Sequence, residues 1–227
     1  MSSGRFRVRA ELFPSILPVR FPNVQDTRLA GTPRSRAAVQ DRDRLPALAR
    51  VAMNHPIIIR PYRDDDSVPS ITRLLHDAYA PLAALGLRYT ATHQDYATTL
   101  RRLTRGIPFV GEIEGEIVAT VTLYPTESAP GACCRWYAEP GVFSFGQFAV
   151  RPDLQKQGLG ARMIGLLENE ALSRGAHELA LDTAEPAVHL RSWYDKLGFR
   201  FIEFADGSTT NYRSVILSKS IVPSAGR

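Results

Sequence analysis

Several things are scarce in this 227-residue chain, and each scarcity excludes something. No run of ~18 apolar residues occurs, so no transmembrane helix is expected. Cysteine is limited to Cys133 and Cys134, which adjoin. Neighbouring cysteines rarely bridge each other, and neither has a spaced partner for zinc, so no metal site is expected. A reducing, cytoplasmic setting is the simple inference. Lysine is absent from residues 1–54, where ten arginines stand against four acids for a net of +6. The remainder carries 18 basic and 19 acidic residues, a net of −1. The basic character therefore belongs to the start of the chain, and the body offers no nucleic-acid surface. Neither nucleic acid nor a membrane is expected as a partner; a homodimer stays open.

Residues 1–54 also lack any lasting period. Pro14, Pro18, Pro22, Pro33 and Pro46 interrupt every apolar run. Such sequence cannot bury enough surface to offset its ordering entropy. Pro14 and Pro18 also break the only stretch that could act as a secretory signal. The expectation is a disordered or mis-assigned extension over 1–54, with Met53 the alternative start. A folded domain over 55–220 and a tail at 221–227 complete the division.

From Ile57 the pattern is regular. Ile57 to Pro61 reads as a strand stopped by proline. Asp64, Asp65, Asp66 and Ser67 supply acids and a cap for a helix with Val68, Ile71, Leu75 and Ala78 on one face. Solvated capping is favoured for the three aspartates over a metal site. Tyr79-Ala80-Pro81 reads as that helix's end, and Asp95 to Leu103 as a second helix. Pro108–Gly111 and Ile117–Tyr124 read as strands joined by a turn at 112–116, with Gly115 the turn residue. Pro125 to Pro140 is a loop. Phe143–Val150 reads as a buried strand, Glu178–Asp182 as another, and Ala187, Leu190, Tyr194 and Leu197 as one helix face. Phe199–Phe204 and Tyr212–Leu217 follow as strands.

Between the strand ending at Val150 and an apolar helical stripe of Leu159, Met163, Leu166, Leu167 and Ala171 lies Gln155-Lys156-Gln157-Gly158-Leu159-Gly160-Ala161. Glycines at a helix start leave backbone N–H groups bare, at the positive end of the helix dipole. A phosphate can approach them closely. The first reading is a diphosphate site. It is not a P-loop, since Ala161-Arg162 follows Gly160. It is not a dinucleotide fingerprint, since position 163 is Met163.

Gln-x-x-Gly-x-Gly opening a helix resembles the coenzyme A pyrophosphate loop of the GCN5-related N-acetyltransferase (GNAT) family. Trp193 to Phe199 resembles that family's Tyr-x-Lys-x-Gly-Phe segment. The element order β-α-α-β-β-β-α-β-α-β-β is also the family's, and the resemblance spans about residues 56–219. It implies an α/β fold: a mixed, mostly antiparallel sheet of about seven strands, about four helices, and splayed strands four and five.

The resemblance further implies acetyl-coenzyme A as co-substrate and acetyl transfer to a primary amine. The pantetheine arm would pair with the backbone of Phe148, Ala149 and Val150. The pyrophosphate would sit on the amides of Gln157, Gly158, Leu159, Gly160 and Ala161, with Gln155, Lys156 and Arg162 nearby. Tyr194 would protonate the departing thiolate, since a phenol of pKa near ~10 stays protonated at neutral pH. An amide of Phe148 or Ala149 would hold the oxyanion. Glu185 is the first choice of base, with Glu112, Asp182, His76, His93 and a water on Gln147 as alternatives. The chain departs from the family at Ala187, where many members carry an Asn that contacts pantetheine. The segment from Glu185 to Tyr194 is also about three residues longer than usual. His189 would fill part of that gap. Tyr79, Tyr89, Tyr124, Trp136 and Tyr137 are expected to line the acceptor pocket. A non-catalytic acyl-coenzyme A sensor and transfer of a longer acyl group remain as alternatives.

Overall fold

A computed structural model describes residues 56–129, 134–206 and 210–222. The extension over 1–54 with Met53, together with Cys133 and the end of the tail, lies outside the described residues.

Seven strands form one sheet in the order β1-β2-β3-β4-β5-β7-β6. They are β1 (Ile58–Pro61), β2 (Ile107–Ile113), β3 (Glu116–Tyr124), β4 (Val142–Val150), β5 (Glu178–Ala184), β6 (Arg200–Asp206) and β7 (Arg213–Ser220). Among the described residues four α-helices accompany them: α1 (Val68–Ala84), α2 (Tyr96–Arg105), α3 (Leu159–Ser173) and α4 (Val188–Lys196). All strand pairs are antiparallel except β4–β5.

Strand alternation divides the core between the two faces of the sheet. On one face Phe143, Phe145, Leu179, Leu181, Val215 and Leu217 bury the apolar stripe of α3 and Tyr194 of α4. On the other face α1 and α2 pack through Val68, Ile71, Leu75 and Leu103 onto Val110 and Ala149. Also on that second face, Ala180, Val142 and Ile216 meet Tyr137.

The helix starts follow their caps. The Ser67 hydroxyl accepts from the Ser70 amide at 3.3 Å, and the Asp95 carboxylate accepts from the Thr98 amide at 2.8 Å. Two expectations are corrected. Pro81 does not end α1, which runs on to Ala84. Proline costs the helix one amide bond, and the buried Leu82 and Leu87 beyond it hold the extra turn against Tyr89 and Ala187. Nor is Asp66 a solvated cap. It takes two hydrogen bonds from Arg60, at 2.7 and 2.8 Å, and Arg60 also binds Glu112 at 2.7 Å. Among the described residues no cluster of His, Cys, Asp or Glu suits a metal.

This ion cluster has a pH signature. Burial would raise the Asp66 carboxyl, but hydrogen bonds from Arg60 and the Arg63 amide outweigh it and set the folded pKa below 3.8. A depressed carboxyl stabilises the fold above its unfolded pKa, and that stabilisation fades as pH falls through the folded value. Asp66→Asn should therefore flatten the acid limb of Tm against pH below about pH 5. An unaltered limb would place the acid sensitivity elsewhere.

Candidate active site

The site begins where the sheet opens. Parallel pairing of β4 with β5 covers only Val142–Ser144 against Glu178–Ala180. Beyond Ser144 the strands part. On its other side β4 carries a bulge, for three steps from Gly146 to Ala149 oppose two from Thr120 to Thr122. Gln147 absorbs the extra residue at φ 48°. Its buried side chain accepts from Gln94 Nε2 at 2.8 Å, and its own amide reaches the Thr99 carbonyl at 3.4 Å. The bulge re-aims the strand. Phe148 then lies against Trp193 of α4, while Ala149 joins the α1–α2 cluster.

Residues 155–161 connect β4 to α3. Gly158 caps α3 in the left-handed region at φ 86°, with no side-chain cap bond. Lys156, also at positive φ, precedes it at 61°. The first helical bond runs from the Arg162 amide to the Gly158 carbonyl at 3.1 Å. The amides of Leu159, Gly160 and Ala161 precede that ladder and point out of the helix start. A side chain on Gly160 would meet Phe148 and Trp193 at 3.3 and 3.4 Å. The surrounding side chains are engaged. Gln155 Nε2 donates to the Val150 carbonyl at 3.0 Å, Gln157 Nε2 to the Asp153 carbonyl at 2.8 Å, and Arg162 Nη2 to the Ile57 carbonyl at 3.2 Å. They shape the loop, while main chain forms its open face.

Tyr194 stands beside the opening. It is 7% exposed and ringed by Phe145, Trp193 and Phe199. Burial first, then the nearby Tyr79, Tyr89 and Asp182, raises its pKa well above the ordinary 10.0. Ala187, at the place where many family members carry Asn, is the N-cap of α4 and makes no side-chain bond there.

The carboxylates and histidines proposed as bases separate clearly. Glu185 is held by Arg213 through two bonds, at 2.6 and 2.9 Å, and this pairing lowers its pKa. A carboxylate so tied is a weak base, which counts against its selection from sequence. Glu112 is bound to Arg60. His76 Nε2 faces the Gln94 carbonyl at 2.8 Å, His93 lies beside Thr92, and His189 is exposed. Asp182 differs. It follows Ala180 on β5, just past the parting of the strands, and faces the opening on the α1–α2 side. Its side chain is exposed to solvent through that opening. Protein atoms packed around the carboxyl raise its pKa, against the opposing pull of Arg102 and a hydrogen bond from Tyr137 Oη at 3.3 Å.

The aromatics expected to line an acceptor pocket fall into two groups. Tyr79 packs edge-on to Tyr89 at 5.4 Å, and Tyr89 meets Tyr212 at 4.8 Å. The Tyr89 hydroxyl binds Thr183 Oγ1 at 3.0 Å and accepts from the Ala184 amide at 2.9 Å. Tyr124 donates to the Arg102 carbonyl at 3.2 Å. Trp136 belongs elsewhere, in the Tyr137–Val142 cluster beneath Arg200. A separate concavity of about 620 Å³ sits between the start of α1 and the β2–β3 turn, away from Tyr194 and Asp182.

Sequence reasoning missed Arg102 and Tyr212. Arg102 follows the buried Thr99 by three residues on α2, and so shares its inward face. An arginine there was one signal. Gly146 inside β4 was another: its bare Cα leaves Arg102 Nη2 only 3.3 Å from where a Cβ would stand.

A sequence model of the Acetyltransferase (GNAT) family matches residues 69–199, which contain the β4–α3 loop, Asp182 and Tyr194. The chain belongs to the GNAT acetyltransferase family. The S-(2-succino)cysteine N-acetyltransferase of Bacillus subtilis (strain 168) is 32% identical over 126 residues, covering 54% of this chain and 72% of that one. Among solved structures, a GNAT family acetyltransferase from Elizabethkingia anophelis with acetyl-CoA bound has 17% identity and a TM-score of 0.51, covering 72% of this chain and 97% of that one. The ribosomal-protein-S18-alanine N-acetyltransferase of Escherichia coli has 18% identity and a TM-score of 0.54, covering 74% and 97%. At these identities the structures establish the shared GNAT fold. Among the described residues no helix is long and apolar enough to cross a membrane.

Proposed function

We propose that this GNAT protein transfers the acetyl group of acetyl-coenzyme A to a primary amine. The observation that carries this reading is the parting of β4 from β5 after Ser144 beside an uncapped α3 start. A pantetheine arm fits the freed β4 edge at Phe148, Ala149 and Val150 as an added strand. The pyrophosphate fits the amides of Gly158, Leu159, Gly160 and Ala161, where bare donors and the helix dipole favour anions. The glycines keep that approach clear of side chains.

The amine nitrogen attacks the thioester carbonyl carbon, the C–N bond forms and the C–S bond breaks. The tetrahedral oxygen is held by a main-chain amide near Phe148. Tyr194 gives its proton to the sulfur, and the proton leaving the nitrogen restores the phenol. An ammonium acceptor releases one further proton to solvent.

Coenzyme A should raise Tm, by an amount equivalent to about 2.7 kcal/mol at a hundredfold excess over Kd. Amine-dependent release of free thiol from acetyl-coenzyme A should accompany it. A Tm indifferent to coenzyme A would sink the reading. Tight binding without turnover on any amine would instead favour an acyl-coenzyme A sensor. Turnover restricted to longer thioesters would change the donor.

A further inference from the structure

The acceptor side of the opening holds two opposite charges that do not meet. Arg102 enters from α2, where Nη1 donates to Gln94 Oε1 at 2.5 Å and the side chain also meets the Tyr124 hydroxyl. Gln94 is itself locked by Thr99 and Gln147 at 2.7 and 2.8 Å. That chain of buried amides runs to the strained Gln147, so the bulge of β4 and the aim of Arg102 are one construction. Across the opening stands Asp182, which accepts a hydrogen bond from Tyr137. Neither charge has an ion-pair partner within 4.0 Å among the described residues, although eight other such pairs form there. Each still feels the other's field. Tyr79, Tyr89, Tyr124 and Tyr212 close the space around them.

Arg102 is half-buried and Asp182 is exposed to solvent, so water, not an ion pair, meets the carboxylate in the free protein. Two opposite charges held apart by rigid neighbours are set to receive a ligand that carries both signs. We propose that the acceptor is a small amine bearing a carboxylate, an α-amino acid or a conjugate of one, with its carboxylate on Arg102 and its amine on Asp182. This rests on the acetyl-transfer reading above and names the acceptor class for that site. Arg102 supplies planar donors that suit a carboxylate. Asp182 takes one proton from the incoming ammonium, freeing the lone pair that attacks the thioester, and later releases that proton to solvent. The second nitrogen proton and the thiolate are handled as above, so charge and protons balance.

The pH dependence follows from the groups around Asp182: Arg102 from α2, Tyr137 from the turn before β4, Tyr79 from α1, Tyr89 after it, Tyr194 from α4 and Tyr212 beside β7. All the tyrosines are protonated at neutral pH, so Arg102 is the one charge among them. The base form of Asp182 is required, so activity falls as pH drops through a carboxyl pKa that the protein atoms packed around it have raised.

The test uses the full chain with acetyl-coenzyme A and a panel of α-amino acids, S-(2-succino)cysteine among them. Each is set against its uncharged α-amide and its decarboxylated amine. Acids should be acetylated in preference to both analogues. Arg102→Gln should raise acceptor KM by about ten- to a hundredfold while acetyl-coenzyme A KM stays fixed, and Arg102→Lys should restore part of it. Asp182→Asn should lower kcat by about 10²- to 10⁴-fold and abolish the acid limb of kcat/KM. Its Tm should stay close to the parent's, because the carboxylate is exposed and accepts only a long hydrogen bond from Tyr137. Equal turnover of acids and amides, preference for neutral peptide termini, or an unchanged acceptor KM in Arg102→Gln would overturn the proposal and leave acetyl transfer standing. Failure of coenzyme A to bind would overturn both.

Discussion

Tyr194→Phe is expected to lower kcat by about 10²- to 10⁴-fold, the usual worth of a positioned proton donor. Coenzyme A should bind as before, because the ring contacts with Phe145, Trp193 and Phe199 survive. Among the described residues the hydroxyl has no hydrogen-bond partner, so its loss leaves none of their buried groups unpaired. Burial raises the phenol above its ordinary 10.0, which makes it a weaker acid than a free tyrosine. The thiolate, however, is expelled into the same enclosed space, where its own proton affinity rises for the same reason. An acid is lost as pH rises through its pKa, so Tyr194 should impose no basic limb on kcat below about pH 10. Single-turnover kinetics with calorimetry would check the split between chemistry and binding. A Phe variant with wild-type kcat would remove Tyr194 from the reaction.

The fold was legible because most of its elements are written locally. Alternation in Ile117–Tyr124 and the apolar stripe from Leu159 to Ala171 state strand and helix without help from neighbours. Pro81 misled because a proline's local cost was set against long-range burial of Leu82 and Leu87, which local pattern does not display. The bulge at Gln147 was silent for a related reason. Nothing in the type of residue marks a glutamine at φ 48°, and it is held there by Gln94 from a distant turn.

The bare main chain of the proposed donor side was readable in the same way. Main-chain donors need only glycines at a helix start, and Gly158 and Gly160 announce them. The acceptor side was not. Glu185 and Asp182 are both acids near the end of β5, and spacing alone separates them poorly. What separates them is the partner: Arg213, on β7, ties up Glu185, while β4 has already left Asp182 unaccompanied. Both facts depend on strand order, which places β7 beside β5 and so brings Arg213 to Glu185, 28 positions earlier in the sequence. Arg102 carried a signal in its inward helical position, but its meaning needed Gly146 and Asp182 in view.

Substituting valine at both Gly158 and Gly160 is expected to weaken coenzyme A binding by about 10²- to 10⁴-fold, the loss of some two charge-assisted main-chain bonds. The two positions act differently. Gly158 has open space around it but lies at φ 86°, a region that costs a β-branched residue about 1–3 kcal/mol. The substitution would pull the cap toward extended backbone and turn the amides away from the phosphates. Gly160 has an ordinary helical position but a tight one, with Phe148 and Trp193 at contact distance. A branched side chain there displaces Phe148, and with it the β4 edge on which pantetheine would lie. Single variants separate the effects: Gly158→Val should lower affinity through the loop, and Gly160→Val should also disturb the tryptophan fluorescence of Trp193. Titration calorimetry with coenzyme A reads the affinity, and circular dichroism confirms that α3 remains formed. A folded double variant that binds coenzyme A like the parent would show that the amides at the head of α3 do not hold the pyrophosphate. The placement of the thioester beside Tyr194 and Asp182 would then lose its anchor, because the β4 edge can fix the direction of the pantetheine arm but not its register along the strand.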